Sequence, residues 1–266
     1  GCLTQKYGSE LRKEIPEIDA ILGTSDFSKI GDLVNARFKQ ASAKSACQEP
    51  VSYTKRYLTT PKHTAYIKIA EGCDNKCTYC IIPELRGSYQ SRPMEEIVSE
   101  VRHLVSQGVK EINLIAQDTT YYGLDLYGKE KLPELLELLA EENIHWIRVL
   151  YCYPGRISQN LLDVIRSHDN ICNYLDIPLQ HADRRILKRM GRKEDKYFLE
   201  KLLQKIRRTI PDISLRTTFM VGFPGETEEE FQTLLDFVQE QRFDWLGAFT
   251  YSQEEDTPAA LFPDQI

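Results

Sequence analysis

Apolar residues recur along this chain in two alternating rhythms. Short apolar runs read as strands at Ala65 to Ala70, Glu111 to Ala116, Trp146 to Cys152, Tyr174 to Ile177, Ser214 to Val221 and Trp245 to Tyr251. Between them the spacing changes to threes and fours. Met94, Ile97, Val98, Val101, Leu104 and Val105 line one side of a helix that starts with Pro93 in its first turn and is closed by Gly108. After the fifth run, Phe231, Leu234, Leu235 and Val238 repeat that spacing, and Thr227 with Glu230 forms a capping box ahead of them. Strands that alternate with helices need crossover connections, which makes the sheet parallel. Six such units predict an α/β fold, an incomplete six-stranded TIM-like barrel. Loops that follow strand C-termini build the working face of that architecture, so chemistry is sought there.

The first 56 residues follow neither rhythm for long. A short polar helix from Ser9 to Glu14 and an apolar, strand-like piece from Ile18 to Leu22, closed by Gly23, read as the tail of an α/β amino-terminal domain. From Lys39 to Lys62 the chain is polar and aperiodic, as a linker is. The boundary falls near Tyr57, giving residues 1–56 as domain tail plus linker and residues 57–266 as the barrel. The chain opens at Gly1-Cys2 without an initiator Met and stops soon after Pro263, so it reads as a piece of something longer.

Composition narrows the picture. With 266 residues the chain can bury a large core. A formal net charge of -6 supplies no long-range field for holding a phosphate backbone, which weighs against nucleic acid as the main partner. Seven cysteines, unevenly spaced and without a secretory leader or long apolar run, argue against a disulfide framework and a membrane span and point to a reducing cytoplasm.

The strongest chemical signal is the loop after the first strand, Gly72-Cys73-Asp74-Asn75-Lys76-Cys77-Thr78-Tyr79-Cys80. Its three cysteines are soft thiolate ligands suited to an iron–sulfur cluster or to zinc, but structural zinc sites favour two separated pairs and no second pair follows. Three thiolates on a four-iron cluster leave one iron open to chelate a small molecule. The competing readings are cysteines serving as small hydrophobes in a tight loop, or an incomplete zinc knuckle.

This loop resembles the signature of the radical S-adenosylmethionine superfamily, whose members place it after the first strand of such a barrel. Longer stretches resemble the methylthiotransferases of that superfamily: Lys68-Ile69-Ala70-Glu71-Gly72-Cys73, Ile81-Ile82-Pro83, Asp176-Ile177-Pro178-Leu179-Gln180-His181 and Val221-Gly222-Phe223-Pro224-Gly225-Glu226-Thr227. Gly1-Cys2-Leu3-Thr4-Gln5, Gln117-Asp118-Thr119-Thr120 and Tyr151-Cys152-Tyr153-Pro154 are most similar to the branch that modifies an aspartate of ribosomal protein S-twelve.

The resemblance implies a transferase in which Cys73, Cys77 and Cys80 hold a 4Fe-4S cluster that cleaves S-adenosylmethionine. A methylthio group is then attached to the β-carbon of an aspartate in a small-subunit ribosomal protein. It also implies a second 4Fe-4S cluster in the full-length protein, for which Cys2 is the last of three ligands, so only one complete ligand set lies in this chain. Read without the family, Cys2 is a terminal cysteine. Tyr79 is implied near the adenine, Gln117 and Asp118 at the methionine amino group, Gln180 at the ribose, and Val221 and Gly222 at the adenine. His181 reads better as a satisfied core residue. Arg216 is a candidate for a carboxylate of cofactor or substrate. Cys47, Cys152 and Cys172 read as a linker cysteine and two packed barrel residues. The implied partners are the ribosomal protein and an electron donor such as flavodoxin or ferredoxin. Nucleic acid contact would come through a carboxy-terminal TRAM domain outside this sequence. The basic run Arg184, Arg185, Lys188, Arg189, Arg192, Lys193 is a solvated helix face or a ribosomal RNA contact. Two other functions fit the same motifs: methylthio transfer to a transfer RNA adenosine, and a metal-binding module without catalysis.

Overall fold

The strands form where apolar and β-branched residues cluster, and the crossovers between them dictate a parallel order. A computed structural model describes residues 1–24, 26, 29–38 and 56–265. In chain order its helices and strands are α1 (Cys2–Glu14), α2 (Ile30–Phe38), β1 (Thr64–Lys68), β2 (Ala70–Glu71), α3 (Ile82–Arg86), β3 (Gln90–Ser91), α4 (Met94–Ser106), β4 (Glu111–Ile115), α5 (Leu124–Tyr127) and α6 (Leu132–Ala140). There follow β5 (Trp146–Val149), α7 (Gln159–Ser167), β6 (Ile171–Asp176), α8 (Arg184–Arg189), α9 (Lys196–Thr209), β7 (Ser214–Val221), α10 (Glu228–Gln241) and β8 (Trp245–Thr250).

Six strands make one sheet in the order β1-β4-β5-β6-β7-β8. Each adjacent pair is parallel, with Ala65 opposite Ile112, Ile112 opposite Ile147 and Leu175 opposite Leu215. β1 and β8 do not pair with each other, so the barrel is open, as the count of six units predicts. β2 and β3 form a separate two-residue antiparallel ladder beside the end of β1.

Each amphipathic helix lays its apolar stripe on the sheet. Ile97, Val101 and Leu104 of α4, Leu132, Leu135 and Leu139 of α6, Leu161 and Ile165 of α7, and Leu199, Leu203 and Ile206 of α9 are all buried in one continuous core with Ile67, Ile112, Leu114 and Leu175 of the strands. A satellite cluster of Ile186, Met190, Met220, Phe223 and Ala259 packs with Tyr79 near the strand C-termini. Among the described residues no helix is long and apolar enough to cross a membrane.

Several elements differ from the pattern-based expectation. The first helix begins at Cys2 instead of Ser9 and bends at Tyr7. Ile18–Leu22 is irregular and pairs with no strand among the described residues. The apolar content of that piece is real, but a strand needs a neighbour to complete its ladder. Pro93 is the N-cap residue of α4, one position ahead of the first turn, consistent with its lack of an N–H. β5 ends at Val149 because Tyr151 turns to φ 59. The expected linker and Cys47 lie largely outside the described residues.

α1 sits on the cysteine-loop side of the barrel. Lys6 Nζ donates to Glu254 Oε1 at 2.6 Å, and Thr24 Oγ1 donates to the Leu85 carbonyl at 2.8 Å.

Candidate functional site

The cysteine loop is built by close backbone approaches that specific glycines permit. Gly72 has φ +80, and a Cβ there would fall 2.2 Å from the Ser88 carbonyl oxygen. On the far side Gly191, at φ +75, lets the chain pass where a Cβ would lie 2.4 Å from the Lys76 carbonyl oxygen. Thr78 fastens the loop between these points. Its N–H donates to the Met190 carbonyl at 3.0 Å, its hydroxyl donates to the Arg189 carbonyl at 2.7 Å, and its own carbonyl accepts from the Ala259 N–H at 2.8 Å.

Cys73 is buried, and Cys77 and Cys80 are half-buried. All three line a cavity of about 330 Å³ at the C-terminal ends of the parallel strands. They also border a second hollow of about 640 Å³, together with Asp74, Glu84 and Asp256. Burial pushes the Cys73 thiol up to about 11 and also raises that of Cys80. Metal capture must therefore displace protons, which makes it weaken with acidity. Among the described residues no three His, Cys, Asp or Glu side chains gather tightly enough to hold a single ion. The three thiols share one cavity wall, and three soft ligands without a fourth suit a polynuclear cluster better than a structural zinc ion.

Loops after successive strands supply the remaining walls. Gln117 and Asp118 follow β4, Tyr151 to Tyr153 follow β5, Pro178 and Gln180 follow β6, and Thr218 belongs to β7. Asp118 is 2% exposed, and its carboxylate is fully engaged by protein donors. Oδ1 accepts from the Thr120 N–H at 3.1 Å and the Thr120 hydroxyl at 2.6 Å. Oδ2 accepts from Arg156 Nη1 at 2.7 Å and from Asn75 Nδ2 at 2.9 Å. Arg156 also donates to Asn75 Oδ1, at 3.1 and 3.2 Å, and its guanidinium stacks 4.8 Å from the centres of both Tyr121 and Tyr153. Asn75 lies between Cys73 and Cys77, so this cluster pins the cysteine loop to the ends of β4 and β5.

Gln117 Nε2 donates to Glu71 Oε1 at 3.3 Å, and Glu71 pairs with Lys68 at 2.7 Å and Arg86 at 2.5 Å. Burial works against ionisation of Glu71, but hydrogen bonds from Lys68 and Arg86 outweigh it and hold the carboxyl below its usual range. The other end of Gln117, Oε1, is buried without a donor, and so is Gln180 Oε1. Gln180 is held at φ 73 by β7, accepting from the Met220 N–H at 2.8 Å and donating to the Thr218 carbonyl at 2.9 Å. A non-glycine residue fixed in that region at a cavity wall marks stored backbone strain. Tyr79 reaches the same wall, its hydroxyl accepting from Arg192 Nη2 at 3.1 Å.

The structure does not bring every expected residue to the cavity. Val221 and Gly222 are outside its lining; the Val221 carbonyl accepts from the Tyr251 N–H at 2.8 Å, and a Cβ on Gly222 would meet open space. Cys2 borders neither hollow and lies beside Arg86. Arg216 is spent on Asp176, 2.6 Å away. His181 is fully buried, accepting from the Asp183 N–H at 2.9 Å and paired with Glu226 at 3.3 Å, as a satisfied core histidine is. Cys152 packs in the wall against Thr119, its thiol raised to about 12 by burial. Asn75 and Arg156 were not singled out by motif, and Arg192 was noted only within the basic run. Their positions, inside the cysteine loop and in the segments beyond β5 and β6, were the signal that pointed to the cavity.

Comparison with known proteins bears on this geometry. A profile of the Radical SAM superfamily matches residues 67–238. The chain is 52% identical over 271 residues to the ribosomal protein uS12 methylthiotransferase RimO of Desulforamulus reducens, covering 100% of this chain and 61% of that protein. It is likewise 52% identical over 270 residues to RimO of Clostridioides difficile, with the same coverage of 100% and 61%. The chain thus spans about three-fifths of the length of the curated relatives it matches. Among solved structures it is similar in fold, at 17% identity and a TM-score of 0.62, to the radical S-adenosylmethionine methyltransferase TsrM of Kitasatospora setae, over 74% of this chain and 38% of that one.

Proposed function

This chain belongs to the radical SAM superfamily, and from that premise we propose that it is the barrel of a methylthiotransferase acting on an aspartate of ribosomal protein uS12. The observation that carries the reading is the convergence of Cys73, Cys77 and Cys80 on one cavity at the strand C-termini, where the loops after β4, β5 and β6 and Thr218 of β7 close around them. Identity of about half the residues to two RimO proteins supports the substrate class.

In this reading Cys73, Cys77 and Cys80 would hold a 4Fe-4S cluster. Bound there, it supplies the electron that splits S-adenosylmethionine into methionine and a 5′-deoxyadenosyl radical. The protein's own contribution is binding, orientation and exclusion of water. The unpaired Oε1 atoms of Gln117 and Gln180 are acceptors in need of donors, which the methionine ammonium and the ribose hydroxyls carry. Asp118 acts one step removed: with Arg156 it fixes Asn75 and so the spacing of the cysteines. Tyr79 forms the adenine side of the wall. Residues 1–56 belong to an amino-terminal domain whose second cluster takes Cys2 as one ligand, and residues 57–266 form the barrel. Flavodoxin or ferredoxin serves as reductant.

The test is anaerobic reconstitution with iron and sulfide, reduction, addition of S-adenosylmethionine, and measurement of 5′-deoxyadenosine beside a Cys77→Ala control. Product from the unmodified chain alone is the expected outcome. A formed and reducible cluster without product would defeat the reading. Methylthio transfer by the full-length protein to uS12 and not to transfer RNA is the corresponding result for the substrate, and activity on RNA alone would overturn that part.

A further inference from the structure

We infer that the groove between α7 and α9 is a docking surface for the phosphate backbone of RNA, an inference that rests on the functional reading above, because a ribosomal protein sits among RNA. The two helices pack side by side, and between them lies a hollow of about 470 Å³. Four of its lining side chains are cationic, Arg166 of α7 and Lys201, Lys205 and Arg208 of α9, against a single carboxylate, Asp163. That carboxylate accepts from Gln159 Nε2 at 3.0 Å and reaches Arg166 only at 4.0 Å. Among the described residues Lys201, Lys205 and Arg208 have no ion-pair partner. Elsewhere on α9 the cations are provided for: Lys196 lies 3.8 Å from Glu200 and 3.7 Å from Glu240, and Arg207 donates to the Gln241 carbonyl.

Lys201 and Lys205 stand one helical turn apart, a spacing at which like charges repel, and Arg208 and Arg166 add to the same field. A fold gains nothing from that arrangement, and in a chain of net charge -6 it is a local reversal of sign. An anion relieves it. Gln159, Gln204 and Thr209 complete the lining with uncharged groups of the kind that bond phosphate oxygens and ribose hydroxyls. Position favours an extended partner. The groove shares no residue with the cysteine-lined cavity. α9 leads back toward the start of β7, and Lys201 and Arg208 lie about 8 and 18 Å along it from its first residue. A small protein that must pass an electron to the cavity has no use for a surface displaced toward the opposite end of the strands, whereas an RNA strand running past the target protein meets mouth and flank together. The negative charge of the rest of the chain keeps the contact local and salt-sensitive.

Lys201→Gln, Lys205→Gln and Arg208→Gln are combined in the reconstituted full-length protein, and fluorescence anisotropy with a short RNA duplex measures affinity over a range of salt. The substitutions weaken binding by about tenfold or more and lower the slope of log affinity against log salt by about 2–3. Methylthio transfer to isolated uS12 stays as in the parent, because the groove lies outside the cavity. Lys201 and Arg208 are exposed, so if the triple variant fails to fold, Lys201→Gln with Arg208→Gln carries the same comparison, the slope then falling by about 2. An affinity and a slope indifferent to the groove substitutions overturn the inference. So does an equal loss from Arg184→Gln, Lys188→Gln and Lys193→Gln, which would make the effect one of diffuse charge. Displacement of the RNA by polyglutamate, charge for charge, overturns it in favour of an acidic protein, and a matching loss of transfer to isolated uS12 would place the effect in the fold of the enzyme. A parent that transfers no methylthio group to uS12 removes the functional reading. Transfer by the parent with an RNA affinity indifferent to the groove removes this inference alone.

Discussion

Arg156 shows how much one side chain carries at this site. Its removal strands the Asp118 carboxylate, 2% exposed, with three donors in place of four, and frees Asn75 on one side. Breaking a buried pair is strongly destabilising, but the surviving donors soften the loss. Arg156→Ala is expected to cost about 2–3 kcal/mol in urea unfolding and to lower iron content after reconstitution. Arg156→Lys keeps the charge without the fork and should cost about 1 kcal/mol. Unchanged stability and iron loading in Arg156→Ala would show that the cysteine loop holds itself. The three cysteines and Gln117, Asp118 and Gln180 were legible in sequence because each stands at a strand end, where a parallel fold collects its loops. The occupation of Asp118 was not legible, because its partners lie 43 and 38 residues away and no periodicity links them.

At the scale of elements, α10 was readable down to its first turn. Thr227 and Glu230 form the expected capping box, a local device that sequence spacing specifies. What spacing could not supply is the second partner of Glu230, the Arg185 guanidinium, which comes from the start of α8 and bonds both carboxylate oxygens. Arg185 pulls the Glu230 carboxyl down to about 2, against a burial effect in the other direction, from an ordinary value of 4.5. A carboxyl lowered on folding stabilises the native state above its ordinary value and loses that contribution as pH falls toward the folded one. Thermal unfolding should therefore show Glu230→Gln less stable than the parent by about 1 kcal/mol at pH 7, after allowance for solvent screening. The gap should narrow between pH 4.5 and pH 2. A gap that stays constant with acidity would assign the loss to the cap alone. The basic run from Arg184 to Lys193 read as one face, either solvated or against ribosomal RNA, yet it divides: Arg185 joins Glu230, Arg189 lies over Phe262, and Arg192 turns to the cavity. Helical periodicity sorts such residues by face, but only the position of neighbouring elements decides which face is buried.

Over the whole molecule, the order and direction of all six sheet strands followed from the alternation of strand and helix, since each crossover leaves one neighbour to pair with. The placement of α1 did not, because it depends on Lys6 meeting Glu254, a contact across 248 residues that no local pattern records. The satellite core behind Tyr79 was hidden for the same reason, being assembled from α8, β7 and the residues beyond β8. One consequence concerns how the protein is made. The cysteine loop is stapled through Thr78 to two other segments and wedged between glycines at 72 and 191, all by contacts that involve no inorganic component. On those contacts the loop is expected to fold ahead of loading, unlike small zinc modules in which metal uptake and folding are one event. Circular dichroism and the urea midpoint of the iron-free chain should lie close to those of the loaded protein, and chelation should strip colour without unravelling the polypeptide. Loss of the far-ultraviolet signal on chelation would show the reverse. Contacts of this kind make loading and folding separable events, and the chelation experiment tells the two apart.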